Sequence, residues 1–235
     1  MASTKVKAVV IGGVNLKEKD RLVKLYTLEN GKMTVNMRGV RGDKAKLKFA
    51  KEIFCFGEFL IEEGKTNIVT AVDVIDSFYD ISKNIEKYYE ASAIVDIVDK
   101  FSSQSNPQLF IELVKALKSI CYDNLPKYYV IDKFLLDFLN NSGYFFMSDR
   151  CSSCGATLSS RYLNLDFGEM VCPACRTSSC IPVSESCYAG LRLLLNNDYE
   201  KLGSIKLGGM GEVQAFNLLS KDYEWRTGYS VINLI

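Results

Sequence analysis

The chain has 235 residues, 48% hydrophobic and 24% charged, the make-up of an ordinary globular protein with room for one large domain or two to three small ones. It contains no histidine, which excludes Ser-His-Asp and Cys-His nucleophile systems and every catalytic zinc site built on histidine. Net charge is +1, yet residues 1–51 hold 13 basic against 4 acidic groups, a net of +9, so a polyanionic partner met at that end is expected.

In chain order, Val6 to Val14 reads as a β-branched strand closing on a glycine-containing turn. Asp20 to Leu28 and Lys32 to Arg38 flank Glu29-Asn30-Gly31, a hairpin signal. A two-residue Asn-Gly turn would put Lys24 on one face with Met33, Val35 and Met37. A three-residue loop with Gly31 in the left-handed region instead aligns Val23, Leu25 and Thr27 with them. It leaves Lys24 and Tyr26 beside Thr34, Asn36 and Arg38. The second register is preferred because it buries no ammonium. Ile53 to Glu62 and Ile68 to Ile75 are two further strands around Glu63-Gly64-Lys65. Five strands, with a longer connection after the third, predict an OB-type β-barrel over residues 1–76.

From Ser77 the apolar period becomes helical, through Ile81, Ile85, Tyr88, Tyr89, Ala93, Ile97 and Phe101. Asn106-Pro107 is an N-cap followed by proline at the first helical position. The next helix begins near Pro126 and ends at Gly143. Arg161 to Asp166 reads as a strand turned by Phe167-Gly168-Glu169. Ser184 to Asn196 and Glu212 to Lys221 are the last helices, and Trp225 reads as a packing residue. The expected fold is α+β, with the barrel followed by a helical domain at 77–235. A ribbon at about 148–182 is expected to project from that domain.

The ribbon carries Cys151-Ser152-Ser153-Cys154, seventeen residues, then Cys172-Pro173-Ala174-Cys175, the spacing of a four-cysteine zinc site. Thiolates are soft ligands, and four of them leave zinc no open position, so one structural Zn2+ is predicted. The competing reading is two reduced dithiols or a pair of disulfides. Met1 to Lys7 has no apolar leader core and no run approaches a membrane span, so a cytosolic, reducing setting is expected, which favours metal. Cys180 and Cys187 are possible competing ligands, but neither belongs to a Cys-x-x-Cys pair. They read as small buried or half-buried residues, and Cys55 and Cys121 as core.

Arg38, Arg41, Lys44, Lys46, Lys48 and Lys51 place six cations in fourteen residues against Asp43 alone. Most such runs are solvated surface loops; clustered cations also suit phosphate neutralisation. Lys24, Tyr26 and Lys32 on the adjoining strand face favour the second reading. Lys17 and Lys19 fall in the first loop of the barrel, Lys65 in the loop between its last strands, both of which serve oligonucleotide binding in OB folds. Tyr26 is the one clear base-stacking candidate, so charge is expected to dominate. The expected binding set is Lys17, Lys19, Lys24, Tyr26, Lys32, Arg38, Arg41, Lys44, Lys46 and Lys48. The glycines at 12 and 13, and at 208, 209 and 211, lack the phosphate-loop pattern. Glu62-Glu63 shows no acid–base arrangement, and no enzymatic activity is expected.

The order of these parts resembles the bacterial RecO recombination mediator family. Glu18-Lys19-Asp20-Arg21-Leu22-Val23-Lys24-Leu25-Tyr26-Thr27 with Asn30-Gly31-Lys32 is similar to its opening barrel segment, and Arg38-Gly39-Val40-Arg41 to its basic stretch after the third strand. Leu139 to Tyr144 running into Cys151-Ser152-Ser153-Cys154-Gly155 resembles the entry into its ribbon. Phe167-Gly168-Glu169, Cys172-Pro173-Ala174-Cys175 and Pro182-Val183-Ser184 resemble the ribbon's exit. The resemblance implies a non-enzymatic, cytoplasmic, nucleoid-associated DNA repair and recombination factor. Such a protein binds single- and double-stranded DNA, anneals complementary strands, and works with RecR to load RecA on strands coated by SSB. It also implies a contact between the helical domain and the acidic SSB tail, for which Arg192 and Arg226 are the candidate cations. The alternative is a zinc-ribbon interaction module of a transcription- or ribosome-associated factor, against which stands the single basic residue, Arg161, between the knuckles. A zinc-dependent hydrolase would need an open metal position.

Overall fold

The computed structural model of the chain describes residues 3–16, 18–42, 47, 49–102, 104–144, 147–206 and 209–231. Two compact units, Met1–Tyr122 and Asp123–Ile235, divide it.

The first unit begins with β1 (Ser3–Leu16), β2 (Asp20–Thr27), β3 (Gly31–Met37), β4 (Phe56–Glu62) and β5 (Ile68–Asp76), closed into a barrel in the order β1-β2-β3-β5-β4. β1 pairs antiparallel with both β2 and β4, and β3 meets β5 in parallel at Asn36 and Ile68, which closes the ring. Closure removes the exposed strand edges. Val23 faces Val35, Leu25 faces Met33 and Thr27 faces Gly31, so the three-residue loop is the one formed. Gly31 adopts φ 69°, and a Cβ there would collide with the backbone of Gln104. The alternate residues Val23 and Leu25 of β2 and Val35 and Met37 of β3 join Val6, Phe59 and Ile61 in the barrel core. β4 starts at Phe56 rather than Ile53, because Phe54 turns the chain through φ 76°.

Helices α1 (Ile85–Phe101) and α2 (Pro107–Tyr122) complete this unit. Both start where asparagine caps them. Asn84 accepts from the N–H groups of Glu86 (2.9 Å) and Lys87 (3.1 Å), and Asn106 accepts from that of Leu109 (3.0 Å). Phe110 of α2 packs against Tyr26 and Phe56 of the barrel, with ring centroids 6.1 and 6.0 Å apart. β structure gives way to helix after Asp76, but these contacts group the first two helices with the barrel rather than with the later ones.

The second unit comprises α3 (Tyr129–Asn141), β6 (Arg161–Asn164), β7 (Glu169–Val171), β8 (Cys180–Val183), α4 (Glu185–Asn196) and α5 (Gly209–Thr227). α3 begins after Tyr128, whose φ of 73° breaks the helix and whose ring stacks on Phe216 of α5 at 4.4 Å. Gly143 caps its other end with φ 83°. The ribbon strands form a small sheet in the order β7-β6-β8. β8 was not legible as a strand: it has four residues and contains Pro182. α4 starts at its cap Ser184, and α5 runs six residues beyond the expected Lys221, to Thr227. Trp225 near its end is 55% exposed, which corrects the packing role expected for it.

Candidate metal centre and nucleic-acid interface

Each cysteine knuckle is a tight turn. Gly155, at φ 73°, closes the first, its N–H donating to the Cys151 carbonyl at 2.8 Å. In the second, the Cys175 N–H donates to the Cys172 carbonyl at 3.1 Å, and Pro173 opens the turn. The sheet joins the two: the Ser152 N–H donates to the Met170 carbonyl at 3.0 Å, and the Cys172 N–H to the Cys151 sulfur at 3.4 Å. As a result the Sγ atoms of Cys151, Cys154, Cys172 and Cys175 all lie within 4.8 Å of one another. Those of Cys154 and Cys172 are 3.9 Å apart. A tetrahedral zinc–thiolate centre with bonds of about 2.3 Å has sulfurs roughly 3.8 Å apart, so the donor set fits such an ion.

The electrostatics fit it as well. The backbone N–H of Cys172, aimed at its sulfur, draws the Cys151 thiol down to about 6. Crowding against the sulfurs of Cys172 and Cys154 pushes Cys175 up to about 12. Four thiolates this close need a cation among them. Cys180 instead accepts the Thr177 N–H at 3.2 Å, and Cys187 is buried in α4, which pushes its thiol up to about 12. Neither belongs to the cluster. Cys55 and Cys121 are buried in the first unit.

The ribbon does not project. Asp149, just before the first knuckle, accepts from the Tyr188 hydroxyl (3.0 Å) and the guanidinium groups of Arg161 (3.3 Å) and Arg192 (3.2 Å). Arg161 also pairs with Glu185 and lies over the Tyr188 ring at 4.0 Å. On the other side Arg226 of α5 pairs with the buried Asp222 at 2.9 Å and covers the Tyr144 ring at 4.4 Å. Its guanidinium fills the space a Cβ at Gly168 would take, so the β6–β7 turn seats directly on it. Two arginine networks thus fasten the ribbon to α4 and α5. The ribbon lies against the helices because α4 engages its Arg161 and α5 its turn residue Gly168. Arg226, only 8% exposed and paired, is therefore not available as an acidic-tail contact, which corrects that assignment. Arg192 is exposed, beside a shallow groove with Tyr188, Ala189 and Leu193.

On the barrel, three of the expected cations meet at one rim. The Arg41 N–H donates to the Lys19 carbonyl (3.0 Å), its guanidinium to the Glu18 carbonyl (3.1 Å), and the Gly39 N–H to the Asp20 carboxylate (2.8 Å). These bonds lace the segment after β3 to the β1–β2 turn and bring exposed Lys19, Arg38 and Arg41 to the same end. Lys17, Lys44, Lys46 and Lys48 lie outside the described residues.

The strand 2–3 face differs. Lys24 pairs with Asp99 of α1 at 2.7 Å, and Lys32 with the same carboxylate at 3.6 Å while also donating to its carbonyl. Tyr26 is fully buried under Phe110, its hydroxyl donating to the Asn106 carbonyl at 3.4 Å. Burial also pushes its phenol up. The stacking role expected for Tyr26 is therefore corrected: α2 already occupies its ring face. Asp99 was missed, because one acid among Glu86, Glu90, Asp96 and Asp99 on α1 carries no signal in the sequence.

A closed OB-type barrel with helices, followed by a helical unit that carries a four-cysteine ribbon, defines the class. The chain belongs to the recombination protein O family: the model described as Recombination protein O N terminal matches residues 1–78, and that described as Recombination protein O C terminal matches residues 82–230. It is 25% identical over 219 residues to a DNA repair protein RecO of Clostridium novyi, covering 92% of this chain and 86% of the relative. Similar relatives of the same name are those of Acetivibrio thermocellus, 27% identical over 212 residues (86% and 83% covered), and Frankia casuarinae, 28% identical over 199 residues (83% and 82% covered). No helix among the described residues is long and apolar enough to cross a membrane.

Proposed function

We propose that this protein acts in DNA repair and homologous recombination by binding single- and double-stranded DNA, annealing complementary strands and assisting RecA loading with RecR on SSB-coated DNA. The observation that carries the binding step is the cationic rim, where Lys19, Arg38 and Arg41 converge on a barrel whose first 51 residues have a net charge of +9. Lys17, Lys44, Lys46 and Lys48 extend the same basic segment in sequence. Annealing needs no bond made or broken. A cationic surface screens the repulsion between two phosphate backbones and raises their local concentration. The four cysteines are proposed to hold one structural Zn2+, which stabilises the ribbon and the arginine networks around it and takes no part in binding DNA. For the acidic tail of SSB, Arg192 beside its groove is the proposed contact. The proposed location is cytoplasmic, on the nucleoid.

Salt dependence tests the binding step. With Lys19, Arg38 and Arg41 on phosphates, the slope of log K against log salt on single strands is expected to be at least about −2. A slope near zero overturns the electrostatic reading.

A further inference from the structure

Asp99 is the one acid that reaches back onto the barrel's strand 2–3 face among the described pairs, and it holds two lysines at once. Its Oδ2 lies 2.7 Å from the Lys24 ammonium and its Oδ1 3.6 Å from that of Lys32. The group is not sealed: the side chains of Lys24, Lys32 and Asp99 are 52%, 30% and 25% exposed. Two ammonium groups converging on one carboxylate leave a net positive charge on the face. A phosphodiester has the same recognition chemistry as that carboxylate, one negative charge over two acceptor oxygens.

Docking of the helices does not depend on this contact. Phe110 packs on Tyr26 and Phe56, the backbone of Gln104 lies against Gly31, and the Ser105 hydroxyl donates to the Leu28 carbonyl at 2.9 Å. Those apolar and backbone contacts hold α1 and α2 to the barrel, whereas a partly exposed ion pair shifts an equilibrium by no more than about fivefold. Asp99 therefore contributes little to the fold.

Building on the proposed DNA binding, we infer that Lys24 and Lys32 form a phosphate subsite of the barrel that Asp99 occupies as an internal carboxylate. A nucleic-acid strand takes this seat by displacing Asp99. The contact sets the affinity of the chain for strands and keeps two of its cations engaged on one carboxylate until a polyanion arrives. Lys100, one residue on, pairs with Asp96 at 3.3 Å, an arrangement along α1 that leaves Asp99 to the barrel lysines.

The test is binding of the full chain to a labelled oligothymidylate across a salt series, comparing wild type, Asp99→Asn, and Asp99→Asn combined with Lys24→Ala and Lys32→Ala. Asp99→Asn is expected to bind about two- to fivefold tighter, with a slope steeper by about 0.7 for each ammonium set free. The gain should vanish in the triple variant. A folded Asp99→Asn chain with wild-type or weaker affinity overturns the inference while the DNA reading stands. Failure of both wild type and Asp99→Asn to bind any strand refutes the DNA reading itself. If Asp99→Asn does not fold, amine acylation of the wild-type chain decides. Protection of Lys24 and Lys32 by the oligonucleotide supports the subsite, and protection of Lys19 without them overturns it.

Discussion

The two units use arginine differently. In the barrel unit the apolar closure is complete without charge: Val23, Leu25, Val35, Met37 and Phe59 fill the interior, and the cations Lys19, Arg38 and Arg41 stay at the surface. In the ribbon unit charges and thiols are added to an apolar core of Phe134, Leu135, Leu191, Leu194 and Leu219. Four sulfurs crowd into one site, Arg161 and Arg192 meet on Asp149, and Arg226 is buried against Asp222. A cation's place in the sequence therefore says little about its job. By residue type alone Arg226 and Arg38 would both be surface groups, yet one is a structural clamp and the other faces solvent.

The largest expected effect follows removal of the zinc proposed for the four cysteines. A chelator withdraws binding free energy on the order of 10 kcal/mol from a structural zinc site. Calorimetry should show the ribbon unit losing its cooperative transition while the barrel unit keeps its own. Two unchanged transitions would contradict a structural metal.

Next in size is Arg226→Met. It leaves Asp222 buried without its partner and is expected to cost about 3–5 kcal/mol at neutral pH. Burial raises the Asp222 carboxyl above its ordinary 3.8, and Arg226 pulls it back. A carboxyl raised in the folded state makes stability fall as pH rises through its folded pKa. Without Arg226 that raise grows, so the destabilisation should be largest at neutral pH and shrink as pH falls toward the ordinary carboxylate range. Denaturant midpoints of the variant and wild type across pH check this; a loss equal at every pH would show that Asp222 is not the group concerned.

A smaller effect belongs to the barrel unit. Asn106→Ala removes the cap that accepts the Leu109 N–H, for an expected loss of about 1 kcal/mol. That loss should appear in the barrel unit's transition, because α2 packs there through Phe110. A shift confined to the other transition would show that the helices are grouped wrongly.

Legibility in the sequence divides along similar lines. The β2–β3 register was legible because the wrong one would bury an ammonium, a cost large enough to decide. Asn106-Pro107 was legible because capping is local, and the cysteine knuckles because a metal site demands a spacing. What escaped depends on neighbours distant in the chain. Tyr26 sits on the polar side of its hairpin, and only α2 makes that side an interior. The ribbon's fastening rests on Asp149 and Tyr188 and on the Arg226–Gly168 contact, separations of 39 and 58 residues that no local pattern encodes. Phe54, in a left-handed turn normally left to glycine, likewise shortened β4 against its β-rich composition.

The barrel rim is proposed as the main polyanion surface, and the zinc as a purely structural ion. Both roles meet in one experiment, strand annealing by a chain with Lys19, Arg38 and Arg41 all changed to Glu, with bound zinc determined on the same sample. Annealing is expected to fall at least tenfold while one zinc per chain is retained. Annealing at the wild-type rate in that zinc-loaded chain would contradict the claim.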